Sequence, residues 1–62
     1  SVLEEIEGIG PQKAKILLSL PGGLGAIKKA SPEQLTLLKG ISQRDAEKVY
    51  EYFKDKERGK KE

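Results

Sequence analysis

The 62-residue chain has no cysteine, histidine, tryptophan or methionine, and only three aromatic side chains: Tyr50, Tyr52 and Phe53. Lack of cysteine excludes disulfide staples. Lack of both cysteine and histidine excludes thiolate and imidazole metal sites and removes the usual nucleophile-plus-base pairs. Three aromatics are too few for base stacking on single strands to be a main binding mode. No stretch approaches the roughly 18 consecutive apolar residues of a membrane span, and no signal peptide is visible. A cytoplasmic location is therefore expected, and a start at Ser1 rather than Met suggests a piece of a longer protein. Nothing alternates with period two, so no strands are expected and the class is all-α. Gly8-x-Gly10 follows no strand and lacks a third glycine, which rules out a dinucleotide fingerprint. No Gly-Lys-Ser/Thr occurs, so there is no P-loop. The ten carboxylates scatter over helix caps and exposed faces without forming a catalytic pair, and the chain is expected to be no enzyme in itself.

Charge is balanced. Twelve Lys and Arg stand against ten acids, a net of +2. Residues 1–31 carry four Lys and three Glu, residues 32–54 carry four of each sign, and the segment from Asp55 adds four bases against three acids. No block forms a polycationic arm, so an anionic partner must be met by geometry rather than bulk charge.

What is present is a phrase written twice. Leu3-x-x-Ile6-Glu7-Gly8-Ile9-Gly10 is echoed by Leu35-x-x-Leu38-Lys39-Gly40-Ile41-Ser42, 32 positions later. The echo continues as Ala14 with Ala46 and Leu17 with Val49. Each copy reads as an apolar turn, a glycine kink and an amphipathic helix. A kink that opens a helix leaves several N–H groups unpaired at a positive dipole end. Two such anion clamps in so short a chain suggest a ligand with regularly spaced phosphates.

Local signals divide the chain into five short helices. Ser1-Val2-Leu3-Glu4 has capping-box form and predicts a first helix from about Val2 to Ile6. Gly8-Ile9-Gly10 breaks it, and Pro11 opens a second helix with Gly10 as N-cap. That helix carries Ala14, Leu17 and Leu18 on one face and ends near Leu20, before Pro21-Gly22-Gly23. A connector helix is predicted over about 24–29, with Leu24 and Ile27 inward. Ser31-Pro32-Glu33-Gln34 opens a fourth helix through about Leu38. Ser42-x-x-Asp45 caps a fifth, where Ala46, Val49, Tyr50 and Phe53 form an apolar stripe. Residues 1–54 thus make one domain, with hairpin 1 at about 2–20 and hairpin 2 at about 32–54. The charged segment 55–62 has no apolar residue and is expected to fray or be disordered. A chain this small buries roughly 60% of its unfolded surface, so neither half stands alone and the two must share one core about an approximate two-fold axis.

The residues Ile6-Glu7-Gly8-Ile9-Gly10-Pro11 and Leu38-Lys39-Gly40-Ile41-Ser42, with Gly22-Gly23-Leu24 and Ala30-Ser31 between them, resemble the tandem helix-hairpin-helix domain of SAM-like fold. The form most similar is carried at the C-terminus of a subunit of the bacterial excision-repair nuclease. The resemblance spans about Ser1 to Phe53. It implies sequence-independent binding of duplex or single/double-strand junction DNA, with hairpin amides gripping phosphates across the minor groove. It also implies other domains or subunits of an excision nuclease as partners, no membrane, and a monomer in isolation. By position the first clamp is Gly8, Ile9 and Gly10 with Gln12 and Lys13, and the second is Gly40, Ile41 and Ser42 with Gln43 and Arg44. Ile9 and Ile41 also serve as inward pegs. A monovalent cation held by hairpin carbonyls is compatible with the resemblance; no other cofactor is expected. The alternative is a dimerisation module, since similar domains in XPF-type nucleases pair through an apolar face, for which Ile16, Leu20 and Tyr52 are the candidates. Ile16 and Leu20 either cover the connector helix or form such a patch.

The copies differ where it matters. Gly10 is replaced by Ser42, whose hydroxyl either caps its own helix or donates to a phosphate. Lys13 is matched by Asp45, an acid suited to a cap and ill suited to a phosphate. The first hairpin is therefore expected to bind more strongly.

Overall fold

In the computed structural model the backbone is described for residues 2–60 and the side chains for residues 2–56. A 3₁₀ helix, Val2–Glu5, precedes four α-helices: α1 (Pro11–Leu18), α2 (Gly23–Lys29), α3 (Pro32–Thr36) and α4 (Gln43–Lys60). No strand occurs among the described residues. The capping residue expected for the first element, Ser1, lies outside them.

The repeat is real in three dimensions. In the first copy Ile6 N–H donates to the Leu3 carbonyl at 3.1 Å, Ile9 to Ile6 at 3.0 Å and Ala14 to Gly10 at 2.9 Å. In the second, Leu38 donates to Leu35 at 3.1 Å, Ile41 to Leu38 at 3.1 Å and Ala46 to Ser42 at 2.9 Å. The same three bonds recur at the same offset. Leu3 and Leu35, Ile9 and Ile41, Ala14 and Ala46, and Leu17 and Val49 are all buried, so four apolar pairs supply most of the core. Ile27 and Ala30 at the end of α2, with Ile6 and Phe53, complete it.

Several expected boundaries shift. The first element is a 3₁₀ turn and not an α-helix, because the kink at Gly8 leaves too few residues for repeated i→i−4 bonds. α1 ends at Leu18 rather than Leu20, and Leu18 is 46% exposed instead of facing the core. The inward arc holds Ala14 and Leu17, and the next position is turned about 100° away from Leu17. α3 ends at Thr36, two residues early, because the last turn tightens into the i→i−3 bond of Leu38. Tyr50 is half-buried, whereas Phe53 is buried with Tyr52 edge-on at 5.2 Å between ring centroids. The fraying expected from Asp55 onward is not seen as far as Lys60, where the α4 backbone remains helical. Its residues up to Gly59 are helix-tolerant and include no proline. Residues 61 and 62 lie outside the described part.

Candidate functional site

Each hairpin turns on a glycine in the left-handed backbone region, which residues with a Cβ rarely adopt. Gly8 has φ +88° and Gly40 has φ +99°. The next residue inward, Ile9 or Ile41, is buried at 3% or 5% exposure and anchors the turn, as its sequence position predicts. Both isoleucine amides are spent on the turn itself, bonding Ile6 and Leu38. They hold the rim and do not line it.

In the first hairpin the rim stays open. Gly10, the N-cap of α1, is extended (φ −92°, ψ −172°) and contributes no side-chain cap. Among the described residues no acceptor meets the N–H of Gly8 or Gly10. Pro11 removes one orphan donor, and the amides of Gln12 and Lys13 follow in an uncapped first turn with its dipole end exposed. A Cβ on Gly10 would meet nothing within 4 Å, so the space beside this N-cap is open.

In the second hairpin the rim is partly filled from within. Asp45 N–H donates to Ser42 Oγ at 3.1 Å, and Ser42 N–H donates to Asp45 Oδ2 at 3.2 Å, a closed capping box. Of the two roles open to Ser42, its oxygen takes the cap. Gly40 keeps an N–H with no acceptor among the described residues, and Gln43 and Arg44 lie exposed on the first turn of α4.

The two rims are held side by side. Lys13 Nζ lies 3.0 Å from Asp45 Oδ2 and donates to Oδ1 at 3.2 Å, joining the first turns of α1 and α4. These residues occupy equivalent positions of the repeat, and equivalent side chains can touch only near the axis relating the copies. The Asp45 side chain is 9% exposed and that of Lys13 is 39% exposed. Burial desolvates the Asp45 carboxylate, which alone would raise its pKa. The Lys13 hydrogen bond, the bonds to Ser42 and the ammonium's charge outweigh it, and the group sits below its ordinary 3.8. The same axis pairs Ile16 with Gly40 and Lys48 with Gly8. A Cβ on Gly40 would fall 2.9 Å from Ile16 Cδ1, and one on Gly8 would fall 3.8 Å from Lys48 Cδ. Lys48 Nζ also reaches Glu7 at 3.7 Å, an exposed contact of little energetic weight. Each repeat's second helix thus covers the other repeat's turn.

The ten residues expected at the clamps therefore fall into three groups. Gly8, Gly10, Gln12, Gly40, Gln43 and Arg44 rim the two helix starts. Ile9 and Ile41 are pegs. Lys13 and Ser42 are engaged inside the protein, with Asp45. The Lys13–Asp45 contact is what sequence reasoning missed, although opposite charges at matched positions of a two-fold repeat were its visible signal. Ile16 and Leu20 are half-buried against the core. Tyr52, the third member of the suggested apolar face, packs there too and donates to Glu5 at 3.0 Å. Among the described residues no group of three His, Cys, Asp or Glu could hold a metal, and no helix is long and apolar enough to cross a membrane.

Two kinked turns of identical bonding, related by an internal axis and each opening a helix, define a class. The chain belongs to the SAM-like helix-hairpin-helix tandem family, whose model matches residues 1–55. Among curated proteins it is similar to UvrABC system protein C. The protein of that name from Acetivibrio thermocellus is 46% identical over 57 residues, 92% of this chain and 9% of the relative. Those from Photobacterium profundum (47% over 51 residues) and Cronobacter sakazakii (50% over 50 residues) cover 82% and 81% of this chain, and 8% of each relative. The chain spans less than a tenth of these relatives' length. No solved structure matches it significantly.

Proposed function

We propose that this chain is a non-catalytic DNA-binding module of an excision nuclease, gripping duplex or single/double-strand junction DNA through hairpin amides. The observation that supports this most directly is the uncapped start of α1. Gly8 and Gly10 offer free N–H groups there, beside a helix dipole and within a side-chain contact of the second helix start. A phosphate oxygen fits such a site without any base being read. Gln12, Gln43 and Arg44 add polar and cationic reach from exposed first-turn positions. Lys13, paired with Asp45, holds the two helix starts together. Cutting, on this reading, belongs to another part of a longer protein.

The test is titration with a short duplex and with a bubble, following the amides of Gly8, Gly10 and Gly40 by NMR. Binding should be sequence-independent, with Kd on the order of 10⁻⁴ to 10⁻⁶ M. With about four phosphates neutralised, log K should fall against log salt with a slope of roughly −3 to −4. A slope near zero overturns the mechanism. Light scattering separates this reading from a dimerisation module: a tight dimer indifferent to DNA would favour the latter.

A further inference from the structure

Beside the second hairpin runs an open groove of about 660 Å³ lined by Gln12, Lys15, Ile16, Ser19, Leu38 and Lys39. Its floor is Ile16, which abuts Gly40, and Leu38, both partly buried. Gln12 of this lining belongs to the first turn of α1, so the groove adjoins the open amide rim. Lys15 and Lys39 are exposed, and among the described residues no carboxylate pairs with either. Ser19 turns its hydroxyl inward onto the Ile16 carbonyl at 2.5 Å and so adds no obstruction.

The internal axis supplies a control for this groove. The residues 32 positions away from its lining are Arg44, Glu47, Lys48, Glu51, Ile6 and Glu7. Where one flank has two unpaired lysines and no acid, the other has three carboxylates and two bases. There Lys48 replaces Ile16 and reaches Glu7 at 3.7 Å, while Glu47 Oε2 accepts from Gln43 at 3.4 Å. One flank is cationic and open, and its counterpart is acid-rich. A polyanion leaving two neighbouring rims meets attraction on the α1 side and carboxylates on the α4 side.

We propose that the phosphodiester backbone continues from the hairpins along the α1 flank, with Lys15 and Lys39 as further phosphate contacts and Ile16 and Leu38 against the sugars. This rests on the DNA-binding reading and adds a direction to it: the protein seats the strand on one side of its own axis. An amphipathic acidic peptide is the competing occupant of a lysine-rimmed apolar trough. DNA is favoured because the groove is continuous with the open rim.

The experiment is a titration of this chain and of its Lys15→Gln/Lys39→Gln variant with a short duplex. Both substituted residues are exposed, and far-UV circular dichroism checks that the variant folds. Amides of Ile16, Ser19 and Lys39 should shift together with those of Gly8 and Gly10, while those of Glu47 and Glu51 stay still. The variant should bind about tenfold more weakly at low salt, and its log–log salt slope should be shallower by about 2. If the hairpin amides shift and the groove amides do not, or if the salt slope is unchanged, the flank proposal fails and the hairpin reading stands. If no amide responds, both fail. A leucine-bearing acidic peptide that shifts the groove amides when the duplex does not would overturn the proposal in favour of protein docking.

Discussion

The two hairpins share every backbone bond of the turn, a positive-φ glycine and a buried isoleucine, yet they finish differently. In the first the helix start is left uncapped behind Gly10. In the second Ser42 and Asp45 satisfy one another's amides. A cap of this kind stabilises a helix by roughly 1 kcal/mol, while an uncapped start forgoes that stability and leaves the donors available. The first copy has the geometry of a binding rim and the second leans towards a structural support. One scaffold, written twice, leaves one helix start open and closes the other.

That division can be broken most severely at Gly40. An alanine there combines a φ of +99° with a Cβ 2.9 Å from Ile16 Cδ1, a side-chain tip that must turn aside, and should cost about 1–2 kcal/mol in urea unfolding. Alanine at Gly8 meets nothing nearer than 3.8 Å and should cost about 1 kcal/mol, from backbone strain alone. Equal losses would show that the cross-axis contact is unimportant. Asp45→Ala removes the acceptor of the Ser42 amide and leaves Lys13 without its partner, while Ser42 Oγ can still accept from the backbone amide at 45, for an expected loss of about 1–2 kcal/mol. Binding to the first hairpin should outlast it.

Gly10→Asp sharpens the comparison by giving the first hairpin the self-filled rim of the second. The new carboxylate would cap α1, so stability should hold or rise by a few tenths of a kcal/mol. DNA affinity should fall by about tenfold or more, because the donors and the dipole are then occupied. Loss of stability together with affinity would remove the distinction between binding and folding at this site. The smallest effect is on pH. Asp45 is depressed when folded, so its contribution is complete above the unfolded value of 3.8 and is lost as pH falls through the lower folded value. The stability difference between the native chain and Asp45→Asn should therefore shrink between about pH 5 and about pH 2. A difference that grew on acidification would contradict the assignment.

The fold was legible because its signals are local and duplicated. Pro11 and Pro32 mark helix starts, the Ser31–Gln34 box closes as its spacing implies, and glycines sit at both kinks. Helix ends were less legible, as at Leu18 and Thr36, since a last turn can tighten without any residue that announces it. The helical backbone past Lys54 was not legible, because the absence of apolar residues argues against packing and not against helix. At the site, Gly8 and Gly10 could be found from their spacing. The loss of Ile9 and Ile41 as donors could not, because it depends on which carbonyl lies behind each amide. Lys13 is the instructive case. Read along the chain it is a cation beside a phosphate site, and only the axis reveals that it faces an acid.

The charge pair at that axis also settles which halves belong together. Were a second copy of the first repeat to take the place of the second, Lys13 would confront another Lys13 in a half-buried setting. Two second repeats would bring Asp45 against Asp45. Only the unlike combination cancels charge at the seam, so a chain severed at Gly22, just before α2, would be rejoined by its own other half in preference to its twin.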